Sequence, residues 1–231
     1  MQSFREKILA ALPHEYRLED APGLAIMGRA DGVQPLQLQM GKASIEHDGP
    51  FTTHTVSHVA SITKQFTAYI IAQLIQEGAL KPQTRASEVL PNFPGCGADI
   101  TVDHLVHHTS GLRDQWDLLL MAGWRLDDVI TTDHIWKLIQ TQQALNFEPG
   151  AEILYSNTGY SVLAKIIEHI TAQDFPRVVR ERITQPLGLS RTFALVDHRR
   201  IVKGRAFGYR LQSDGFARND HSFANTGATS L

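Results

Sequence analysis

The spacing of apolar positions changes along the chain, and each change marks an element. Phe4, Ile8, Leu9 and Leu12 fall on one side of a helix, which predicts a short amphipathic helix over residues 3–12. Pro22-Gly23 interrupts, and Leu24-Ala25-Ile26-Met27 begins a strand. Asp31-Gly32 signals a tight turn and Leu36-Gln37-Leu38-Gln39-Met40 alternates strictly, so the two runs predict a β-hairpin. A polar loop leads to residue 61. From there Phe66, Tyr69, Ile70, Ile71, Leu74 and Ile75 describe a helix that is apolar nearly all round, hence central and buried, with Gly78 at its end.

Residues 82–150 read as loop-rich and helical, punctuated by Pro91, Pro94 and Gly95. Ile100–Val106 predicts a short helix with Thr101 or Asp103 near its start, leading into His107-His108-Thr109-Ser110-Gly111-Leu112. Further helices are predicted near 117–123 and 132–143, followed by a turn at Phe147-Glu148-Pro149-Gly150. Tyr155-Ser156-Asn157-Thr158-Gly159-Tyr160 opens a helix whose Val162, Leu163, Ile166, Ile167 and Ile170 face the core. Another runs over about 174–184, with Pro176 in its first turn. Arg205–Leu211 reads as a strand and Ser213-Asp214-Gly215 as its turn. No internal repeat or low-complexity segment is present in the sequence.

Composition narrows the class. The chain has 231 residues, 42% hydrophobic and 20% charged, with a formal net charge of −2. That is the balance of a globular protein of one large or two small domains. The absence of a basic excess argues against a nucleic-acid partner. A single cysteine, Cys96, excludes an intrachain disulfide and does not settle the compartment. No apolar run reaches transmembrane length. The first twelve residues lack a signal-peptide core, so the expected location is cytoplasmic, or periplasmic or secreted if a signal was removed before this numbering begins.

The chemistry concentrates at Ser61-Ile62-Thr63-Lys64. Residues three apart at a helix start share a face, so the Ser61 hydroxyl and the Lys64 amine can meet. A serine is a weak nucleophile until a base takes its proton. The helix start adds free N–H groups and a partial positive charge where an oxyanion would form. Taken alone, a Ser-x-x-Lys pattern arises about once by chance in a chain of this size, and its plain meaning is an N-cap serine before a solvated lysine. The apolar helix that follows changes that balance, because a lysine in its first turn is expensive to bury without a task. His104, His107 and His108 have spacings that suit a metal on a helix, but no glutamate completes a His-Glu-x-x-His pattern, and no metal or other cofactor is expected. Trp116, Trp124 and Trp136 read as core aromatics of the helical stretch. Arg199, Arg200, Lys203 and Arg205 read as a solvated basic face.

Ser61-Ile62-Thr63-Lys64, His108-Thr109-Ser110-Gly111-Leu112, Pro149-Gly150 and Tyr155-Ser156-Asn157-Thr158-Gly159-Tyr160 occur in the order used by serine β-lactamase-like proteins. From about Pro22 onward the chain resembles the branch that holds class C β-lactamases, low-molecular-weight penicillin-binding proteins, D-aminopeptidases and related esterases. The resemblance implies an α/β (α+β) fold of the β-lactamase/transpeptidase type: an antiparallel sheet, drawn from both chain ends and flanked by helices, plus an all-helical lobe. In segments, 1–60 would form the N-terminal helix and hairpin, 61–190 the central helix and lobe, and 191–231 the return toward the sheet, all within one incomplete domain. It implies Ser61 as the acylated nucleophile, Lys64 as its activator, Tyr155 as general base and Asn157 as a substrate-binding amide, with Trp116 at the cleft. A phenolate beside a lysine ammonium is stabilised, which fits a tyrosine base. Without the upstream Ser-x-x-Lys, Tyr155 would read as a buried aromatic and Asn157 as a helix cap. The implied partner is a small-molecule or peptide substrate of ester, amide or β-lactam type.

One family element is missing, a late Lys-Thr-Gly or His-x-Gly strand opposite the nucleophile. His47-Asp48-Gly49 precedes Ser61 and so has the wrong order, and Asn225-Thr226-Gly227 lacks a cation and lies close behind Tyr155. The segment Asn225–Leu231 resembles instead a glycine-containing loop that lies well before that strand. The chain is therefore expected to stop on the order of one hundred residues early. It would be a fragment, a cut product completed by a second chain, or a truncated relative that no longer catalyses and serves as a binding or regulatory protein, and the first two are favoured. Ser57 stands where close relatives often carry an aromatic side chain.

Overall fold

The structure, a computed structural model, describes residues 4–29, 31–32, 35–219, 223–224 and 226–231. In chain order its elements begin with helix α1 (Phe4–Ala11), strands β1 (Leu24–Gly28), β2 (Leu36–Met40), β3 (Lys42–Ser44) and β4 (Gly49–Pro50), and helices α2 (Thr63–Gln76), α3 (Ala86–Val89), α4 (Val102–Val106) and α5 (Gln115–Met121). Strand β5 (Ile130–Thr131), helices α6 (Thr132–Gln140), α7 (Asn157–Thr171) and α8 (Phe175–Val179), and strands β6 (Tyr209–Gln212), β7 (Gly215–Arg218) and β8 (Phe223–Ala224) complete it. They divide into two compact units, Met1–His58 with Ile201–His221 and Val59–Arg200 with Ser222–Leu231.

The first unit is built from hairpins. β1 and β2 pair antiparallel with Leu24 opposite Met40 and Gly28 opposite Leu36, and the alternation of β2 buries Leu38 while exposing Gln37. β6 and β7 pair antiparallel with Tyr209 opposite Arg218. Late and early segments meet through the backbone: Phe207 N–H donates to Ala43 O at 2.9 Å, and Val56 bridges Arg205. The polar loop expected between residues 41 and 60 contains the β3–β4 hairpin, whose turn holds Asp48 at φ 52° and whose Ser44 Oγ accepts the His47 N–H at 3.2 Å. His47-Asp48-Gly49 lies in that turn. Tyr209 ties this turn to the later hairpin. Its hydroxyl accepts the Ile45 N–H at 2.9 Å and donates to Glu46, and that donation holds the Glu46 carboxyl below its usual range. Among the described residues the strands form four two-stranded ladders.

The second unit is the helical lobe. Ile70, Ile71 and Leu74 of α2 share a core with Leu105 of α4, Val162, Leu163, Ile166 and Ile167 of α7, and Phe175 of α8. α2 is one-sided rather than apolar all round, because Tyr69 is half exposed. It ends in a Schellman motif: Gly78 at φ 75° donates to Ile75 O, and Ala79 N–H reaches Leu74 O. Thr101 caps α4, its Oγ1 accepting the His104 N–H at 3.2 Å while His104 Nδ1 accepts the Thr101 N–H at 3.3 Å, and Thr131 and His134 repeat the device at α6. α8 starts after Asp174 and runs on into a π turn over Arg180–Thr184.

The stretch after residue 190 is shared between the units. Residues 201–219 join the hairpins, whereas β8 pairs parallel with β5 and residues 226–231 are buried along α2. Thr67 Oγ1 donates to Gly227 O at 2.8 Å, Leu231 N–H donates to Thr63 Oγ1 at 3.0 Å, and Leu195 N–H donates to Ser230 O at 2.7 Å. Asn225 lies outside the described residues. Among the described residues no helix is long and apolar enough to cross a membrane.

Candidate active site

The chain enters α2 through a 3₁₀ turn, Ala60–Ile62, so Ser61 sits just ahead of the helix. Ala60 is held at φ 48°, a left-handed conformation that costs an L residue about 1–2 kcal/mol. Val59 N–H, anchored on Leu231 O at 2.9 Å, helps to hold it there. Ser61 is exposed, and Lys64 on the next turn is only 7% exposed. An ammonium has three donors and no acceptor. Lys64 Nζ places them on Ser61 Oγ at 3.2 Å, Asn157 Oδ1 at 2.8 Å and Ala228 O at 3.1 Å. A buried cation needs such a full set of oxygens to offset its lost hydration.

Tyr155 approaches from the segment before α7. Its hydroxyl is 2.8 Å from Ser61 Oγ, and half of the side chain faces solvent. The ring lies under Lys64 Nζ, 4.9 Å from its centroid, and against the His108 ring at 4.6 Å. His108 straps this segment in place. Its carbonyl accepts the Leu154 N–H at 2.9 Å and its Nδ1 accepts the Ser156 N–H at 3.1 Å, while its own backbone is left-handed at φ 59°. An accepting Nδ1 puts the ring proton on Nε2. Burial, and then the Lys64 charge, hold the imidazole below its ordinary pKa, partly offset by the Asp114 carboxylate. Tyr160 packs on the same ring at 5.2 Å and donates to Val106 O at 3.1 Å. Burial and the neighbouring Tyr155 push its phenol up.

Asn157 is the first residue of α7, and Ser156 is its N-cap. Asp114 is the partner sequence reasoning missed. Its Oδ2 accepts both the backbone N–H and the Nδ2–H of Asn157, the latter at 3.0 Å, and its Oδ1 accepts the Trp116 N–H at 2.9 Å. The structure therefore brings Ser61, Lys64, Tyr155 and Asn157 into direct contact. Trp116 joins through its backbone, while its indole packs against the lobe core. Ala228 was also missed, because a carbonyl carries no side-chain signal. The one hint is the small-residue run Thr226-Gly227-Ala228-Thr229-Ser230, which suits a segment threaded between packed helices. Gly227, at φ 86°, sits where a Cβ would meet Tyr160 O at 2.3 Å. Of the three histidines weighed as metal ligands, His104 closes a capping box, His107 Nδ1 bonds the Asp103 carbonyl at 3.0 Å and His108 supports Tyr155.

Arranged this way, Ser61 has a hydroxyl partner on one side and a cation on the other, at the mouth of a helix. The family model described as Beta-lactamase matches residues 10–227. The chain is similar to a D-aminopeptidase of Gluconobacter oxydans, at 26% identity over 200 residues, covering 86% of this chain and 37% of the relative. It is similar also to Penicillin-binding protein 4* of Bacillus subtilis, at 32% over 174 residues, covering 73% of this chain and 38% of the relative. The chain thus spans less than half the length of these curated relatives. Among solved structures it superposes on an octameric penicillin-binding protein homologue from Pyrococcus abyssi with a TM-score of 0.82 and 26% identity, over 99% of this chain and 53% of that one. The D-amino acid amidase from Ochrobactrum anthropi SV3 gives 0.70 and 28%, over 83% of this chain and 52% of that one. With nearly its whole length matched by the family model and these folds superposed on it, the chain belongs to the beta-lactamase family.

Proposed function

We propose that this protein is a serine acyl-transfer hydrolase that forms an acyl-enzyme on Ser61 with an ester, amide or β-lactam substrate, either a small molecule or a peptide. One observation carries the reading: Ser61 Oγ lies between the Tyr155 hydroxyl at 2.8 Å and the Lys64 ammonium at 3.2 Å. In the proposed cycle Tyr155, as phenolate, takes the Ser61 proton while Oγ forms its bond to the substrate carbonyl carbon. The carbonyl electron pair moves to oxygen, at the helix start where N–H groups converge. As the tetrahedral adduct collapses, the leaving group departs with the proton from Tyr155. A water molecule then repeats the sequence on the acyl-enzyme, Tyr155 taking its proton and returning one to Ser61.

Lys64 acts here as a charge rather than as a base, since all three of its donors are engaged by oxygens. Asn157 uses one amide hydrogen on Asp114 and retains a second for a substrate oxygen. The names of the similar proteins, D-aminopeptidase, penicillin-binding protein and D-amino acid amidase, favour an amide or peptide bond as the one cleaved.

The test is intact-protein mass spectrometry after exposure to a fluorophosphonate probe. A single adduct that disappears in Ser61→Ala is expected. An adduct that persists in Ser61→Ala moves the nucleophile elsewhere, and a folded protein that takes no adduct refutes the hydrolase reading in favour of a binding protein that keeps the cleft.

A further inference from the structure

The carboxylate of Asp114 has no part in the proton transfers just described, yet it is the most heavily used acceptor around them. We propose that Asp114 is a positioning residue for acyl transfer, fixing the Asn157 amide so that its oxygen and not its NH₂ faces Lys64; this rests on the hydrolase reading above.

The two ends of an asparagine amide are alike in size, so their partners decide which way the amide points. On one side of Asn157 stands Lys64 Nζ, which only donates, and on the other Asp114 Oδ2, which only accepts. The two constraints agree on a single orientation. Asp114 is itself held in place. Its Oδ1 caps α5 through the Trp116 N–H, and its Oδ2 also takes the backbone N–H of Asn157 at the start of α7. The residue in the N-cap position of α7 has handed over that duty: Ser156 Oγ is buried without a hydrogen-bond partner among the described residues. One carboxylate thus places the amide, and through the amide the ammonium that touches Ser61.

Without Asp114 the amide keeps Lys64 as its partner but loses the anchor on its other end, so it can swing about its side-chain torsions and carry Nζ with it. A displacement of about 1 Å at a reacting group lowers a rate by roughly 10²-fold.

The experiment follows the rate and the amplitude of probe adduct formation on Ser61 in the wild type, Asp114→Ala, Asp114→Asn and Thr131→Ala. The last removes an N-cap in the same unit, where Thr131 Oγ1 accepts the His134 N–H at 3.3 Å, and so reproduces a purely structural loss. The expected result is a limiting acylation rate reduced by about 10²-fold in Asp114→Ala, at full amplitude and with unchanged half-saturation. Asp114→Asn should be slowed less, and Thr131→Ala should react at the wild-type rate. A merely structural role would lower the amplitude and leave the rate, and that outcome overturns the proposal.

A second readout does not need activity. In the ¹⁵N spectrum the Asn157 side-chain NH₂ resonances should move on Asp114→Ala. If they stay in place the orientation claim fails, whatever the labelling shows. A wild-type protein that takes no adduct refutes the hydrolase reading, and the Asn157 resonances alone then decide the positioning claim.

Discussion

Replacing Gly227 with alanine tests the inner wall of the site. Gly227 has φ 86°, and an added Cβ would lie 2.3 Å from Tyr160 O and 2.7 Å from Ala164 Cβ. Both atoms belong to the first half of α7, whose buried face is fixed by Val162, Leu163 and Ile166, so the clash cannot be relieved by turning a flexible side chain. The left-handed backbone alone costs an alanine about 1–2 kcal/mol, and over-packing a filled interior adds about 1–3 kcal/mol. A loss of about 2–5 kcal/mol is therefore expected, a large share of the stability of an ordinary domain. The assay is urea unfolding, read as a lower midpoint at unchanged slope. Gly78→Ala is the control: its φ is 75°, but no atom lies within 4 Å of the added Cβ, so it carries the strain without the clash. Should Gly227→Ala prove no worse than Gly78→Ala, Gly227 does not pack against α7 as described. The same substitution should reach the chemistry. Relief by outward movement pulls Gly227 O from Thr67 Oγ1 and Ala228 O from Lys64 Nζ, so whatever stability is recovered is given up in acylation rate.

Two further outcomes follow from the geometry. Tyr155→Phe removes the hydroxyl 2.8 Å from Ser61 Oγ but keeps the ring against His108, so probe labelling should slow by about 10²–10⁴-fold with the unfolding midpoint unchanged, and wild-type labelling in that variant would eliminate Tyr155 as the base. His108 has a folded pKa below the ordinary histidine value of 6.5, so at acidic pH the unfolded chain binds the extra proton first. Its contribution to stability is complete above pH 6.5 and is lost as pH falls from there through the lowered folded value. His108→Asn keeps an acceptor for Ser156 N–H and tolerates φ 59°, so below pH 6.5 its urea midpoint should fall less steeply than that of the wild type, and parallel curves would refute the assignment.

What the sequence revealed of the site depended on how far each signal travels along the chain. Ser61 and Lys64 are three residues apart, and helical spacing alone brought them together. Tyr155 and Asn157 lie more than ninety residues from their partners and were legible only through the ordered motifs of a family. Asp114 carries no signal in the sequence, because its meaning lies in N–H groups at the starts of α5 and α7, and no side-chain pattern announces those. The long helices were visible in their period. The β3–β4 and β5–β8 ladders were not, since strands of two or three residues are too short to establish an alternation. Tyr69 was misread because a tyrosine counts as apolar in a pattern, although its hydroxyl end is at home in water.

The polarity of each link shows where a proton can move. Asp114, as a carboxylate, only accepts, and Lys64, as an ammonium, only donates, with every hydrogen already placed. The Asn157 amide between them has a fixed sense, oxygen to Lys64 and nitrogen to Asp114. No proton can pass along that half of the network without breaking it, so it serves as a rigid, charged backing. Ser61 and Tyr155 differ from the rest in that each hydroxyl can give or accept. They are also the most exposed members of the network, Ser61 being exposed and Tyr155 half exposed, whereas Asn157 and Asp114 are partly buried and Lys64 is buried. Proton transfer in the proposed cycle is thereby assigned to the two groups that a substrate carbonyl, a leaving group and a hydrolytic water can all approach, with Lys64 as a fixed donor behind them.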